Sequence, residues 1–199
     1  MNASSSRAKA SFRTQLRETA RAAILDAAEE LIATRGMEGA PLVQIAKRAG
    51  IAVGTLYNYF TDRDALVQAL FESRRATLRP MIRVAIKAND KLGFEPRLRA
   101  FVHDVLAAFE AHRRFVKVAI EAEHRIAPSA TSTDVHVAIT ELVKIGVREK
   151  AIAAGRAELL PTLIAGALRA VVLRRIGEDA PLVGDADTIV SIFLDGARA

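Results

Sequence analysis

Gln44, Lys47, Arg48, Thr55, Asn58 and Tyr59 bring hydrogen-bonding side chains together within one short stretch of this 199-residue chain. Lysine and arginine bind phosphate, and glutamine and asparagine can read an adenine edge, so the chemistry on offer is recognition of a nucleic acid. A second constellation, Glu121-x-x-His124, is one half of a helical di-iron site. That site needs another such motif and two further Glu residues, and the sequence supplies no second motif. A Gly-rich phosphate loop, an HExxH pair and a nucleophile elbow are absent too. No catalytic residue, no metal and no cofactor is therefore expected, and the chain reads as a binding protein and not an enzyme.

The donors need a scaffold, and residues 40–60 describe one. Ile45, Ala46 and Ala49 give a first short helix an apolar edge, and Leu56 and Phe60 do the same for a second. Gly50 falls between them, where a helix stops and the chain reverses, which suits a residue free to take positive φ. This is the outline of a helix-turn-helix, whose second helix enters the DNA major groove. An ordinary pair of packed helices with a solvated face has the same spacing.

Around that outline the chain is helical throughout. Ile24, Ala27, Ala28, Leu31 and Ile32 mark a first helix that Gly36 ends. The helix-turn-helix is expected over 41–48 and 52–59. A fourth helix starts at Thr61-Asp62-Arg63-Asp64, with Pro80 as a kink, and closes near Asn89. Residues 95–125 follow with a break near His112, then a helix from Ser132 towards Gly155, one from Pro161 to Gly177, and a last one after Gly184. No segment shows two-residue alternation. The fold class is all-α, about nine helices. Three parts are expected: a flexible basic arm over 1–16, a helix-turn-helix domain over 17–63, and a larger helical domain over 64–199.

Composition agrees. Hydrophobic residues make up 51% and charged residues 26%, enough for a packed core. The net charge is +6 and the pI about 10.0, compatible with a polyanionic partner. Arg7, Lys9, Arg13, Arg17 and Arg21 stand against Glu18 alone in residues 1–21. There is no cysteine, which excludes disulfides and thiolate zinc sites. The N-terminus lacks the apolar run of a secretory signal, and the apolar stretch Leu159–Leu168 is far short of the roughly 20 residues that span a bilayer. A cytoplasmic protein with no membrane partner is expected.

Over residues 17–72 the chain resembles the TetR/AcrR family of bacterial transcriptional regulators. Ala23-Ile24-Leu25-Asp26-Ala27-Ala28 with Leu31 and Gly36, then Ile45-Ala46, Ala49-Gly50-Ile51, Gly54-Thr55-Leu56-Tyr57, Phe60, Arg63 and Leu66 carry the resemblance. It implies that Thr55, Tyr57, Tyr59 and Arg63 contact phosphates, while Val43, Val53, Gly54 and Asn58 face bases. With Gln44 and Lys47 these form the expected DNA-binding set. Pro41 and Ala52 depart from the Ser or Thr caps usual in the family, and Val43 and Val53 suit thymine methyls better than polar edges. The Tyr57 ring could alternatively belong to the core.

In the larger part, Leu163, Ala167, Leu168 and Val171 share an apolar helix face, and Ile189 and Phe193 form another. Two readings fit: core within the domain, or a four-helix homodimer interface, which the resemblance favours and a palindromic operator requires. The middle helices offer Phe101, His103, Phe109, Phe115, Glu121 and His124 as candidates for an inducer pocket. The expected partners are a double-stranded DNA operator, a second copy and a small-molecule inducer that releases a repressor from DNA. Two alternatives remain at this point: a small-molecule-binding or catalytic helical protein whose basic arm is incidental, and an architectural DNA binder without an inducer.

Overall fold

The computed structural model describes residues 3–87, 91–122 and 130–197. Among them are nine α-helices and no strand, so the all-α reading holds: α1 (Ala3–Arg35), α2 (Leu42–Arg48), α3 (Val53–Tyr57), α4 (Arg63–Lys87), α5 (Phe94–Ala111), α6 (Arg113–Ala122), α7 (Ala130–Arg148), α8 (Leu160–Gly177) and α9 (Ala186–Ala197). The chain divides into two compact units, Met1–Ser73 and Arg74–Ala199, the division falling inside α4.

In the first unit α1 packs on α2 and α2 on α3. The periodic residues of α1 are buried as their spacing requires: Ile24, Leu25, Ala28 and Ile32 are at most 2% exposed. Ile45 and Ala46 of α2, Leu56 of α3 and Leu66 and Leu70 of α4 are buried with them. One expectation is corrected. The stretch read as a flexible arm is helical from Ala3, continuous with α1. Alanine, arginine, lysine and glutamine, which dominate residues 7–23, are strong helix formers, and no glycine or proline interrupts them.

The turn between α2 and α3 closes as Gly50 foretells. Its φ is +72°. The Ile51 N–H donates to the Ala46 carbonyl at 3.0 Å and the Gly50 N–H to that of Lys47 at 3.2 Å, the pair of bonds that ends a helix on a left-handed residue. Pro41 and Ala52 cap α2 and α3 with no side-chain hydrogen bond. α4 is capped properly: Asp62 Oδ1 accepts the Ala65 N–H at 2.7 Å.

The second unit has one core. Phe94, Leu98, Phe101, Val102 and Val105 of α5 meet Ile139 and Leu142 of α7, Ile164 and Leu168 of α8 and Val190 of α9. α7 packs on α8 and α5 on both α7 and α9. Gly146 lets this happen, because a Cβ there would lie 2.9 Å from both the Phe94 ring and Ile152 Cδ1. Remote side chains finish the helix ends. Glu149 Oε2 accepts the Phe94 N–H at 2.8 Å, and Arg113 donates to the Ala180 and Arg175 carbonyls beyond and within α8. The break expected near His112 is present between α5 and α6. α7 stops at Arg148, short of Gly155, because Lys150 itself takes a left-handed φ of 59° and the Ala151 N–H closes onto the Gly146 carbonyl at 2.9 Å. Pro80 lies inside α4 without ending it.

Candidate nucleic-acid interface

α2 and α3 each bury one edge and leave the rest to solvent. On α2, Val43, Gln44 and Lys47 are exposed while Ile45 and Ala46 are buried. On α3 only Leu56 is buried; Gly54, Thr55 and Tyr57 are exposed and Val53 is half-buried. Asn58 and Tyr59 follow, exposed and half-buried, before Phe60 returns to the interior. Tyr57 is 51% exposed, which settles the doubt about its ring: it is not core. A Cβ added at Gly54 would meet nothing within 4 Å, so protein packing does not demand glycine there.

Two cations behave differently from the rest. Arg48, read from the sequence as a free donor, is committed to α1: its Nε and Nη2 lie 3.1 and 2.6 Å from the Glu30 carboxylate. This bidentate pair braces α2 on α1, and Arg48 is withdrawn from the recognition set. Arg63 is half-buried, with Nη1 3.9 Å from Glu38 Oε2 and Nη2 buried without a partner. A phosphate contact requires it to leave that carboxylate.

The basic residues of α1 reach the end of the recognition segment. The Arg17 guanidinium lies 5.9 Å from the Tyr59 ring centroid and that of Arg21 5.5 Å from Phe60. Such contacts are worth about 0.5–1 kcal/mol at exposed sites. With Arg13 they form an exposed i, i+4, i+8 row. The spacing was visible in the sequence, but the rings they cover were not.

Comparison with known proteins decides what this arrangement is. Residues 24–70 match the family model described as bacterial regulatory proteins, tetR family. Over that segment the chain is similar to the DNA-binding part of TetR-family regulators. The HTH-type transcriptional regulator BetI of Escherichia coli is 34% identical over 79 residues, a match that spans 40% of this chain and 40% of BetI. Solved structures extend the likeness, in fold alone, to most of the rest of the chain. A TetR-like regulator from Rhodococcus sp. RHA1 has a TM-score of 0.73 at 22% identity, covering 89% of this chain and 94% of its own. The transcriptional regulator FadR of Bacillus subtilis, in complex with stearoyl-CoA, has a TM-score of 0.71 at 20% identity, covering 88% and 98%.

In the second unit the expected pocket residues that the structure describes are not gathered. Phe101 and Phe115 are at most 2% exposed, Phe101 in the core cluster, and Phe109 packs half-buried against that core. His103 is exposed, 3.5 Å from Asp104, and lines a shallow groove of about 430 Å³ with Glu95, Arg99 and Asp187. Glu121 is exposed, and His124 lies outside the described residues. The expected interface residues divide. Leu168 and Ile189 are core of the unit itself, at 1% and 5% exposure; Ala167, Val171 and Phe193 are half-buried; Leu163 is 55% exposed. The exposed stripe of α8 runs instead through Leu163, Gly166 and Ala170, and Ile192 is the exposed apolar residue of α9. A 3.6-residue repeat reports an apolar face but cannot say which neighbour covers it.

Proposed function

We propose that this chain is a cytoplasmic, non-enzymatic transcriptional repressor that binds an operator as a homodimer and is released by a small molecule held in the unit Arg74–Ala199. The observation that carries the reading is the helix-turn-helix of α2 and α3. Its outward residues are Val43, Gln44, Lys47, Val53, Gly54, Thr55, Tyr57, Asn58 and Tyr59, within the TetR-family segment 24–70. On this reading Thr55, Tyr57, Tyr59 and, once free of Glu38, Arg63 hold phosphates, while the two valines and Asn58 face bases. Domains then follow the compact units, with DNA contact in 1–73 and ligand binding and dimerisation in 74–199.

Dimerisation supplies the geometry a palindrome needs, two recognition helices about 34–36 Å apart. The exposed small-residue stripe of α8 with Ile192 of α9 is the face offered for it. A ligand shifts such an equilibrium by its differential affinity for two dimer states, typically about 1–3 kcal/mol. That FadR of Bacillus subtilis was solved with stearoyl-CoA supports a small-molecule site on this fold, and no described helix is long and apolar enough to cross a membrane.

The decisive test is a gel shift with DNA selected from random sequence by the purified chain. Recovery of a palindromic site bound with an affinity well above that for scrambled DNA is expected. Selection that yields no consensus, or equal affinity for all duplexes, would overturn the reading in favour of a non-sequence-specific binder.

A further inference from the structure

Within the unit Arg74–Ala199, the C-terminal half of α4 and α7 enclose an open groove of about 880 Å³. That is the scale of small-molecule sites, usually about 300–1,000 Å³. α4 lines it with Arg79, Arg83, Val84, Ile86 and Lys87; α7 contributes Asp134, Val137, Ala138 and Glu141. Val84 is 64% and Val137 55% exposed, although both stand on helices with ample polar surface elsewhere.

The charges in the groove do not cancel. Arg79 Nε is 2.7 Å from Asp134 Oδ2, and Glu141 Oε1 is 2.7 Å from Lys144 Nζ. Those two pairs neutralise themselves. Arg83 and Lys87, one helical turn apart and exposed, have no ion pair or hydrogen bond among the described residues. Among the described residues the groove thus offers two cations without a partner beside two exposed valines. Neither set is needed by the unit's own packing, for which α4 uses Ile82 and Ala85.

We propose that this groove binds a free amphiphilic carboxylate, its acid group held by Arg83 and Lys87 and its hydrocarbon part laid over Val84 and Val137. The guanidinium fork donates two parallel hydrogen bonds to a carboxylate, and the ammonium adds a point charge. A neutral apolar ligand would leave the cations unmatched, and a small hydrophilic anion would leave the valines in water. The proposal deepens the ligand-responsive reading above and rests on it for its regulatory meaning, but the binding step does not require DNA.

Calorimetric titration of dodecanoate, kept below its micelle concentration, into the full chain tests it. One molecule per chain is expected, with dodecanol at least ten-fold weaker and dodecyltrimethylammonium weaker still. The double variant Arg83→Glu/Lys87→Glu and the single variant Val137→Asp should each weaken dodecanoate at least ten-fold, while Arg83→Lys, which keeps the charge but loses the fork, should weaken it less than the double variant does. All these positions are exposed, and unchanged circular dichroism and Tm would show the folds intact. Equal affinity for dodecanol, undiminished binding by the double variant, uptake of many molecules per chain, or capture by phosphatidylglycerol vesicles in preference to free dodecanoate would each overturn it. A gel shift separates the two levels. Wild-type protein that binds dodecanoate in this pattern but selects no operator refutes the repressor reading and leaves the groove standing. Operator release by dodecanoate that persists in the double variant refutes the groove.

Discussion

At the scale of single residues, the open space around Gly54 makes a clean separation of folding from recognition. Nothing within 4 Å would meet a Cβ, and its φ is not in the left-handed region. Alanine is the better helix former by about 0.5–1 kcal/mol. Gly54→Ala should therefore leave Tm unchanged or slightly raised, while operator affinity falls at least ten-fold if, as proposed, Gly54 faces DNA, because a methyl group would then intrude on the contact. Unchanged affinity in a gel shift would remove Gly54 from the interface. A second prediction concerns acid. Arg175 grips Asp185 through two hydrogen bonds of 2.6 and 2.7 Å and holds its carboxyl below the ordinary carboxylate value. The unfolded chain, whose Asp titrates near the usual value of about 3.9, then binds the proton first. The contribution is present above that value and is lost as pH falls through the folded one. Asp185→Asn should flatten the acid side of a stability–pH curve below about pH 4–5; an acid limb identical to wild type would show that the pair contributes nothing. The donor types in 44–59 were legible in the sequence; which of them were already spoken for was not. Arg48 and Glu30 are 18 positions apart, and their pairing belongs to the packing of α1 on α2.

At the scale of elements, helix ends carry the lesson. Gly36 and Gly50 take positive φ, as glycines placed after helices do. Lys150 and Asp179 adopt the same conformation without being glycine, with φ of 59° and 52°. Each ends its helix with the same pair of carbonyl closures as Gly50. A non-glycine residue in this region costs about 1–2 kcal/mol, so Lys150→Gly should raise stability by up to about 1 kcal/mol, read as a higher midpoint in urea. A lower midpoint would mean that the lysine side chain makes a contact worth more than the backbone strain. This is also why the end of α7 was illegible: the stop signal expected at Gly155 was pre-empted by a lysine in the left-handed region, with the Ala151 N–H closing onto the Gly146 carbonyl. Helix existence and type were legible almost throughout, because the apolar periodicity of α1, α5 and α8 runs for many turns.

At the scale of the whole molecule, burial within one chain discriminates between two leucines one and a half turns apart. Leu163 is 55% exposed and Leu168 1%. If α8 and α9 form the proposed interface, Leu163→Glu should give a monomer of undiminished helicity by sedimentation and circular dichroism. Leu168→Ala should instead cost about 2–5 kcal/mol of stability and leave any surviving folded protein dimeric. A dimeric Leu163→Glu protein would move the interface elsewhere. That residues 17–72 differ in kind from the remainder was legible, because they carry a specific pattern and the rest only helical character; the compact units divide after Ser73, not at the expected 63. The ligand face was not, since interlocked phenylalanines and phenylalanines lining a cavity have the same sequence.

One feature of the first unit bears on how such a chain changes over time. α3 enters the interior through Leu56 alone, with Phe60 just beyond it. Gly54, Thr55 and Tyr57, all exposed, are therefore almost unconstrained by folding. They can be exchanged with little loss of stability, so a duplicated copy could acquire a new target sequence by a few substitutions while remaining folded at every intermediate step. The scaffold separates heritable specificity from structural integrity, and one buried leucine is where the separation is made.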